Sequence, residues 1–281
     1  MPEEPIKIAL LQTSAKSSKE ENLHRMGSLI SEAAENGANI ICLQELFLST
    51  YFCQTIDDAN FRLSEAVPGP TTDKLSVLAK KLGVVLTVPI FERHAPGIYY
   101  NTVAVLDADG AYLGKYRKMH IPEDPGFHEK YYFTPGDLGY KVFKTLFGNI
   151  GVLICYDQWF PEAARQTALQ GADILIYPTA IGSLPYENET VEQEYLTAWK
   201  TIQQSHAIAN GCFVATTNRT GIENDIDFWG HSFICSPIGK ILSEAGSGEE
   251  IVYADCDISS IEKHRQTWPF FRDRRIDSYG Q

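Results

Sequence analysis

A carboxylate, an ammonium and a thiol each stand where a run of apolar or aromatic residues gives way to polar ones. Glu45 follows Ile40-Ile41-Cys42-Leu43-Gln44, Lys118 ends the run Lys115-Tyr116-Arg117-Lys118, and Cys155 follows Gly151-Val152-Leu153-Ile154. Together they hold what attack on an amide or nitrile carbon requires. A thiol with an ordinary pKa of about 8.5 needs a base and a nearby cation to act as a thiolate at neutral pH. Glu45 would take the proton and Lys118 would stabilise the anion. The negative charge that forms on the substrate would be received by the ammonium and by a backbone N–H beside the cysteine, that of Tyr156. Glu45 would then return its proton to the departing amine. No histidine is needed, which separates this set from the Cys-His proteases. Each residue also has a plainer reading. Buried thiols are mostly inert packing groups, Glu45 suits a solvated strand end, and Lys118 suits a solvated basic run.

Such chemistry needs the three groups at neighbouring strand ends. Apolar patterning predicts buried strands at 6–12, 38–43 and 84–90, with helices at 19–36 and 71–82 between them. Strands at 102–106 and 112–116 flank Asp109-Gly110, a hairpin signal. Residues 119–139 form a long loop rich in Pro, Gly and aromatics, and loops of that length inside compact folds usually carry function. A second cycle follows, with strands at 141–145, 149–154 and 173–177 and a helix at 162–170 begun by Pro161. Helix 191–210 and strands at 213–217, 232–235, 240–243 and 251–257 complete the pattern. The join Gln170-Gly171-Ala172-Asp173-Ile174-Leu175 echoes Asn36-Gly37-Ala38-Asn39-Ile40-Ile41, which suggests two related βαβ halves. The alternation predicts an α/β class, in which sites form at the carboxyl ends of strands. No linker divides the chain, so one domain over 1–281 is expected.

Composition narrows the functional classes. The 281 residues are 44% hydrophobic and 21% charged, with a formal net charge of −12. That balance fits a globular enzyme and argues against non-specific nucleic-acid binding. The Met-Pro-Glu-Glu-Pro start does not read as a secretory signal, and no apolar stretch reaches the ~18–20 residues of a membrane span. Six cysteines without a Cys-x-x-Cys pair fit reduced thiols in the cytoplasm. No metal-ligand pattern and no nucleotide loop is present, so neither metal nor cofactor is expected.

The order Glu45, Lys118, Cys155 lies within Cys42-Leu43-Gln44-Glu45, Lys115-Tyr116-Arg117-Lys118-Met119-His120-Ile121-Pro122 and Gly151-Val152-Leu153-Ile154-Cys155-Tyr156-Asp157. In these stretches the chain resembles the nitrilase, or carbon–nitrogen hydrolase, superfamily along nearly its whole length. The resemblance implies a four-layer α-β-β-α sandwich with Glu45, Lys118 and Cys155 as a catalytic triad. It also implies that Glu129, in His128-Glu129-Lys130-Tyr131-Tyr132-Phe133, holds Lys118 and the substrate amide. Further stretches, among them Cys155-Tyr156-Asp157-Gln158-Trp159-Phe160-Pro161-Glu162 and the tail Trp268-Pro269-Phe270-Phe271-Arg272, are similar to those of superfamily members that hydrolyse a carbamoylated diamine in polyamine synthesis. Tyr156 stands where many relatives carry Trp, which leaves the backbone N–H in place.

A cationic ureido substrate would need a carboxylate at its far end. Glu187, Glu189, Glu192 and Glu194 are candidates, Glu187 first, and they equally suit the start of a helix. Tyr51, Tyr131 and Trp159 are expected to wall its aliphatic chain, with a cation–π contact from Trp159, and Tyr156 and Ala180 are expected beside the reacting group. A carboxylate-bearing ureido substrate would instead predict an arginine in the pocket. A non-catalytic binding protein would have lost one of the triad. The basic, aromatic tail at about 264–281 either packs at a homodimer or larger interface, as the resemblance implies, or docks on its own sandwich.

Overall fold

A computed structural model describes residues 4–279; residues 1–3 of the acidic start and 280–281 of the tail lie outside it. In the first half, β1 (Ile6–Gln12), α1 (Lys19–Glu35), β2 (Ile40–Leu43), α2 (Pro70–Leu82), β3 (Val85–Ala95), β4 (Ile98–Leu106) and β5 (Tyr112–Arg117) follow one another. A one-turn helix α3 (Glu129–Tyr132) interrupts the long loop. The second half contains β6 (Val142–Thr145), β7 (Gly148–Val152), α4 (Pro161–Leu169), β8 (Ile174–Pro178), β9 (Gly182–Ser183), α5 (Glu189–Asn210) and β10 (Phe213–Thr217). Then come β11 (Thr220–Glu223), β12 (Ile226–Trp229), β13 (Phe233–Cys235), β14 (Ile241–Glu244), β15 (Glu250–Cys256) and α6 (Ser260–Thr267).

Two six-stranded sheets form, ordered β15-β1-β2-β3-β4-β5 and β6-β7-β8-β10-β13-β14. They repeat one topology. In each, an antiparallel edge strand precedes three parallel strands, and two antiparallel strands close the sheet. The Gly-Ala echo is part of that repeat. Gly37 and Gly171 follow α1 and α4 with φ of +84° and +100°, a left-handed conformation that costs glycine little, and each turns its chain into a parallel strand.

Strand alternation builds the layers. Ile6, Ile8 and Leu10 of β1 join Ile150, Val152, Ile174 and Ala215 in a core between the sheets, whereas Ala9 and Leu11 face Met26, Ile30, Leu75 and Ala79 of α1 and α2. On the other sheet, α5 contributes Leu196, Trp199 and Ala207 and α4 contributes Ala163 and Ala164 to the same large core. The α-β-β-α sandwich implied by the resemblance is therefore present.

Several expectations shift. The strand expected at 149–154 ends at Val152, and Leu153 keeps one bond, its N–H donating to the Ile176 carbonyl at 3.0 Å. The strands at 84–90 and 102–106 lengthen into a hairpin that turns at Pro96-Gly97. A small sheet, β11-β12-β9, was not expected; β9 is two residues long, and the β11-β12 hairpin turns on Asn224 at φ +51°. The tail is helical as far as Thr267. Beyond it Phe271 lies between the guanidinium groups of Arg165 and Arg265, so part of the tail docks on its own sandwich. Among the described residues no helix is long and apolar enough to cross a membrane.

Candidate active site

Three strands of the sandwich deliver the three groups to one place. Glu45 follows β2, Lys118 follows β5 and Cys155 follows β7 after two further extended residues. Lys118 is fully buried. Its Nζ donates to Glu45 Oε1 at 2.9 Å and to Glu129 Oε1 and Oε2 at 2.9 and 2.7 Å. The solvated reading of the basic run does not hold: Tyr116, Arg117 and Lys118 are buried, and Lys115 is only partly exposed. Alternation along β5 sends Lys115 and Arg117 to Glu92 (2.6 Å each) and turns Tyr116 and Lys118 the other way.

Cys155 does not close its strand. It opens a 3-10 turn, Cys155–Trp159, and holds φ at +41°, a left-handed conformation that is uncommon outside glycine. Buried Asp157 fixes that turn. Its Oδ2 accepts from the Ile154 N–H at 2.9 Å and from the Tyr116 hydroxyl at 2.7 Å, and its Oδ1 accepts from the His120 N–H at 3.0 Å. The strand that leads to Lys118 thus also anchors the turn that carries Cys155. Tyr156 precedes the first bond of the turn, from the Asp157 N–H to the Ile154 carbonyl at 3.0 Å, so its own N–H has no acceptor within the turn. The Cys155 sulfur faces the Ala180 carbonyl at 3.8 Å.

Burial, and then the Glu45 carboxylate, push the Cys155 thiol well above the ordinary thiol range, against the opposing pull of Lys118. Two carboxylates flank one ammonium here, so the local charge favours the neutral thiol over an ion-paired thiolate. Burial alone would lower the Lys118 pKa, but Glu129 and Glu45 outweigh it and hold the ammonium charged. Burial raises Glu129, against the pull of Lys118. One observable follows. Modification of Cys155 by methyl methanethiosulfonate, which reacts with thiolates, is expected to quicken continuously from neutral pH to about 9. A plateau near neutrality would instead reveal a preformed thiolate.

Two supporting residues were not singled out from the sequence. Asn101, in β4, donates from Nδ2 to Glu45 Oε1 at 2.7 Å, and its backbone carbonyl accepts from the Lys118 N–H at 2.8 Å. Arg219 bonds the backbone behind Glu45. Glu45 Oε2 is buried and has no partner, so one carboxylate oxygen is available to a reacting proton.

A cavity of about 500 Å³ opens over Cys155, within the usual size of small-molecule sites. Tyr156, Trp159, Ala180, Glu187 and Glu129 line it, together with Asp124, which the sequence reading did not select. Among the described residues, no arginine, lysine or histidine is in its lining. Glu187 accepts from the Leu184 N–H at 2.8 Å. Glu189 and Glu194 line a different groove, along the outer face of α5, and Glu192 lines neither. Two expected wall residues are elsewhere. Tyr51 is buried behind the cavity, its hydroxyl donating to Glu129 Oε1 at 2.8 Å. Tyr131 is on the surface, bonded to Asp58. Among the described residues no cluster of His, Cys, Asp or Glu could hold a metal.

A family model for carbon–nitrogen hydrolases matches residues 7–266, and with this fold and site the chain belongs to that family. It is 45% identical to N-carbamoylputrescine amidase of Solanum lycopersicum, over 98% of this chain and 93% of the relative. It is 42% identical to citrullinase of Francisella tularensis, over 98% and 97% respectively. A crystal structure of a carbon–nitrogen hydrolase from Helicobacter pylori covers 98% of this chain and 97% of its own, with a TM-score of 0.95 and 43% identity.

Proposed function

We propose that the protein is a thiol amidohydrolase that converts N-carbamoylputrescine to putrescine, carbon dioxide and ammonia, a step of polyamine synthesis. The observation that carries the substrate is the charge of the cavity: Asp124 and Glu187 line it and, among the described residues, no cationic side chain does. A ureido group at Cys155 then places its distal ammonium among carboxylates. A substrate ending in a carboxylate, such as N-carbamoyl-β-alanine, would bring like charges together and would find no arginine.

The thiol proton of Cys155 passes to Glu45 as sulfur attacks the carbamoyl carbon. The oxyanion is received by the Lys118 ammonium and the Tyr156 N–H. Glu45 returns the proton to the terminal nitrogen, the C–N bond breaks, and ammonia leaves a thiocarbamate on Cys155. Glu45 then takes a proton from water, whose oxygen attacks the same carbon. The thiol is restored, and the released carbamic acid loses carbon dioxide to give the amine. Glu129 holds Lys118 and the substrate amide, while Tyr156 and Trp159 wall the aliphatic chain. The exposed Trp268 and Phe270 of the tail support self-association through that face.

Ammonia release from N-carbamoylputrescine, citrulline and N-carbamoyl-β-alanine tests the reading. The expected kcat/KM is highest for the first and lowest for the last. Higher turnover of N-carbamoyl-β-alanine would overturn the substrate assignment. A preference for citrulline, which carries both charges at its far end, would replace it with the activity of the Francisella relative.

A further inference from the structure

The carboxylate of Glu45 is held from the side-chain end by Asn101 and Lys118. Its backbone is held by a residue 174 positions away in sequence. Arg219 lies between β10 and β11 and is fully buried. Its Nη2 donates to the carbonyls of Glu45 and Leu46, both at 3.0 Å, and its Nη1 donates to the Ser49 carbonyl at 3.0 Å. These carbonyls belong to the tight turn after β2, where no strand or helix can satisfy them and where Leu46 is held left-handed at φ +51°. Its charge is matched by Glu223, at 2.7 and 2.9 Å.

Glu223 carries the connection onward. Its Oε2 accepts from the Tyr51 N–H at 2.6 Å, and the Tyr51 hydroxyl donates to Glu129 Oε1 at 2.8 Å. Glu129 holds Lys118, and Lys118 holds the Glu45 carboxylate. The bonds therefore close a ring that starts at the Glu45 backbone and returns to the Glu45 side chain. We infer that Arg219, with Glu223, is a positioning residue that acts through Glu45 and sets where the base meets the thiol. A lysine could not replace it. One ammonium is a point donor, whereas the guanidinium presents Nη2 to the Glu45 and Leu46 carbonyls while its Nη1 meets Ser49 and Glu223.

This inference rests on Glu45 being the proton acceptor, so the test separates the two claims. In Arg219→Lys, kcat for N-carbamoylputrescine is expected to fall about tenfold to a hundredfold, the scale of small misplacements, with KM changed less than about threefold. In Glu45→Gln/Arg219→Lys, turnover is expected to match that of Glu45→Gln alone, because the two losses act through one group. A folded Arg219→Lys protein with kcat within about twofold of the parent would overturn the inference, as would losses that multiply in the double variant. If Arg219→Lys does not fold, Glu223→Gln serves: it keeps volume but breaks the charge match, and unchanged kcat there would overturn the inference equally. Full activity of Glu45→Gln would instead overturn the assignment of the base.

Discussion

Cys155→Ala is expected to remove turnover altogether, and Glu45→Gln is expected to lower it by about 10²–10⁴, the usual contribution of a positioned acid–base group. The two losses differ in kind. Without the sulfur no covalent intermediate forms, and by analogy with other nucleophile deletions the loss approaches ~10⁶. Without the carboxylate the sulfur remains, but its proton has no acceptor, and although the Glu45 charge no longer raises the thiol, burial still disfavours the thiolate. Glutamine keeps the bonds to Asn101 and can still accept from Lys118, so the geometry is preserved while the base is lost. The diagnostic measurement is the pH dependence of residual Glu45→Gln activity. It is expected to rise with pH toward about 9 as thiolate forms without help. Ammonia release that persists unchanged in Cys155→Ala would remove the nucleophile assignment, and with it the thiocarbamate.

How much of this was legible in the sequence follows from distance along the chain. Glu45, Lys118 and Cys155 each end a local apolar or aromatic run, and the two mixed sheets bring those ends together. Glu129 was legible only through family resemblance, because a charged residue in a polar loop carries no local signal. Asn101 and Arg219 were silent. Asn101 reads as an ordinary strand residue, and its partner Glu45 is 56 positions away. Arg219 follows Asn218 in what reads as a polar turn, and nothing nearby marks it as buried. Tyr131 was misplaced by proximity. It is two residues from Glu129 on a helical turn, and positions i and i+2 point to different sides, so a buried Glu129 directs Tyr131 toward the surface. Tyr51 faces the site through Glu129, an arrangement no spacing rule could distinguish from a cavity wall.

Lys118→Met carries the second large effect, on stability as well as rate. The ammonium is fully buried between Glu45 and Glu129, and removing it leaves two carboxylates in the core without a cation. Deleting one member of a buried ion pair typically costs about 3–5 kcal/mol, and methionine recovers only the packing of the stem. The deficit is expected to depend on pH. Burial already raises Glu129 above its ordinary 4.5, and Lys118 is the largest influence opposing that rise. Without Lys118 the folded-state pKa climbs further, so the folded protein holds a proton that the unfolded chain releases. Stability is then retained at or below the unfolded value and lost as pH increases through the raised folded value. Urea unfolding of Lys118→Met should therefore show a larger deficit at pH about 8 than at pH about 5, and Lys118→Met/Glu129→Gln should recover part of it at the higher pH. A Lys118→Met protein within about 1 kcal/mol of the parent at both values would mean that water, not Lys118, solvates these carboxylates. Lys118 would then be a group required by the reaction alone, and the buried cluster would be cheaper for the fold to keep than its geometry implies.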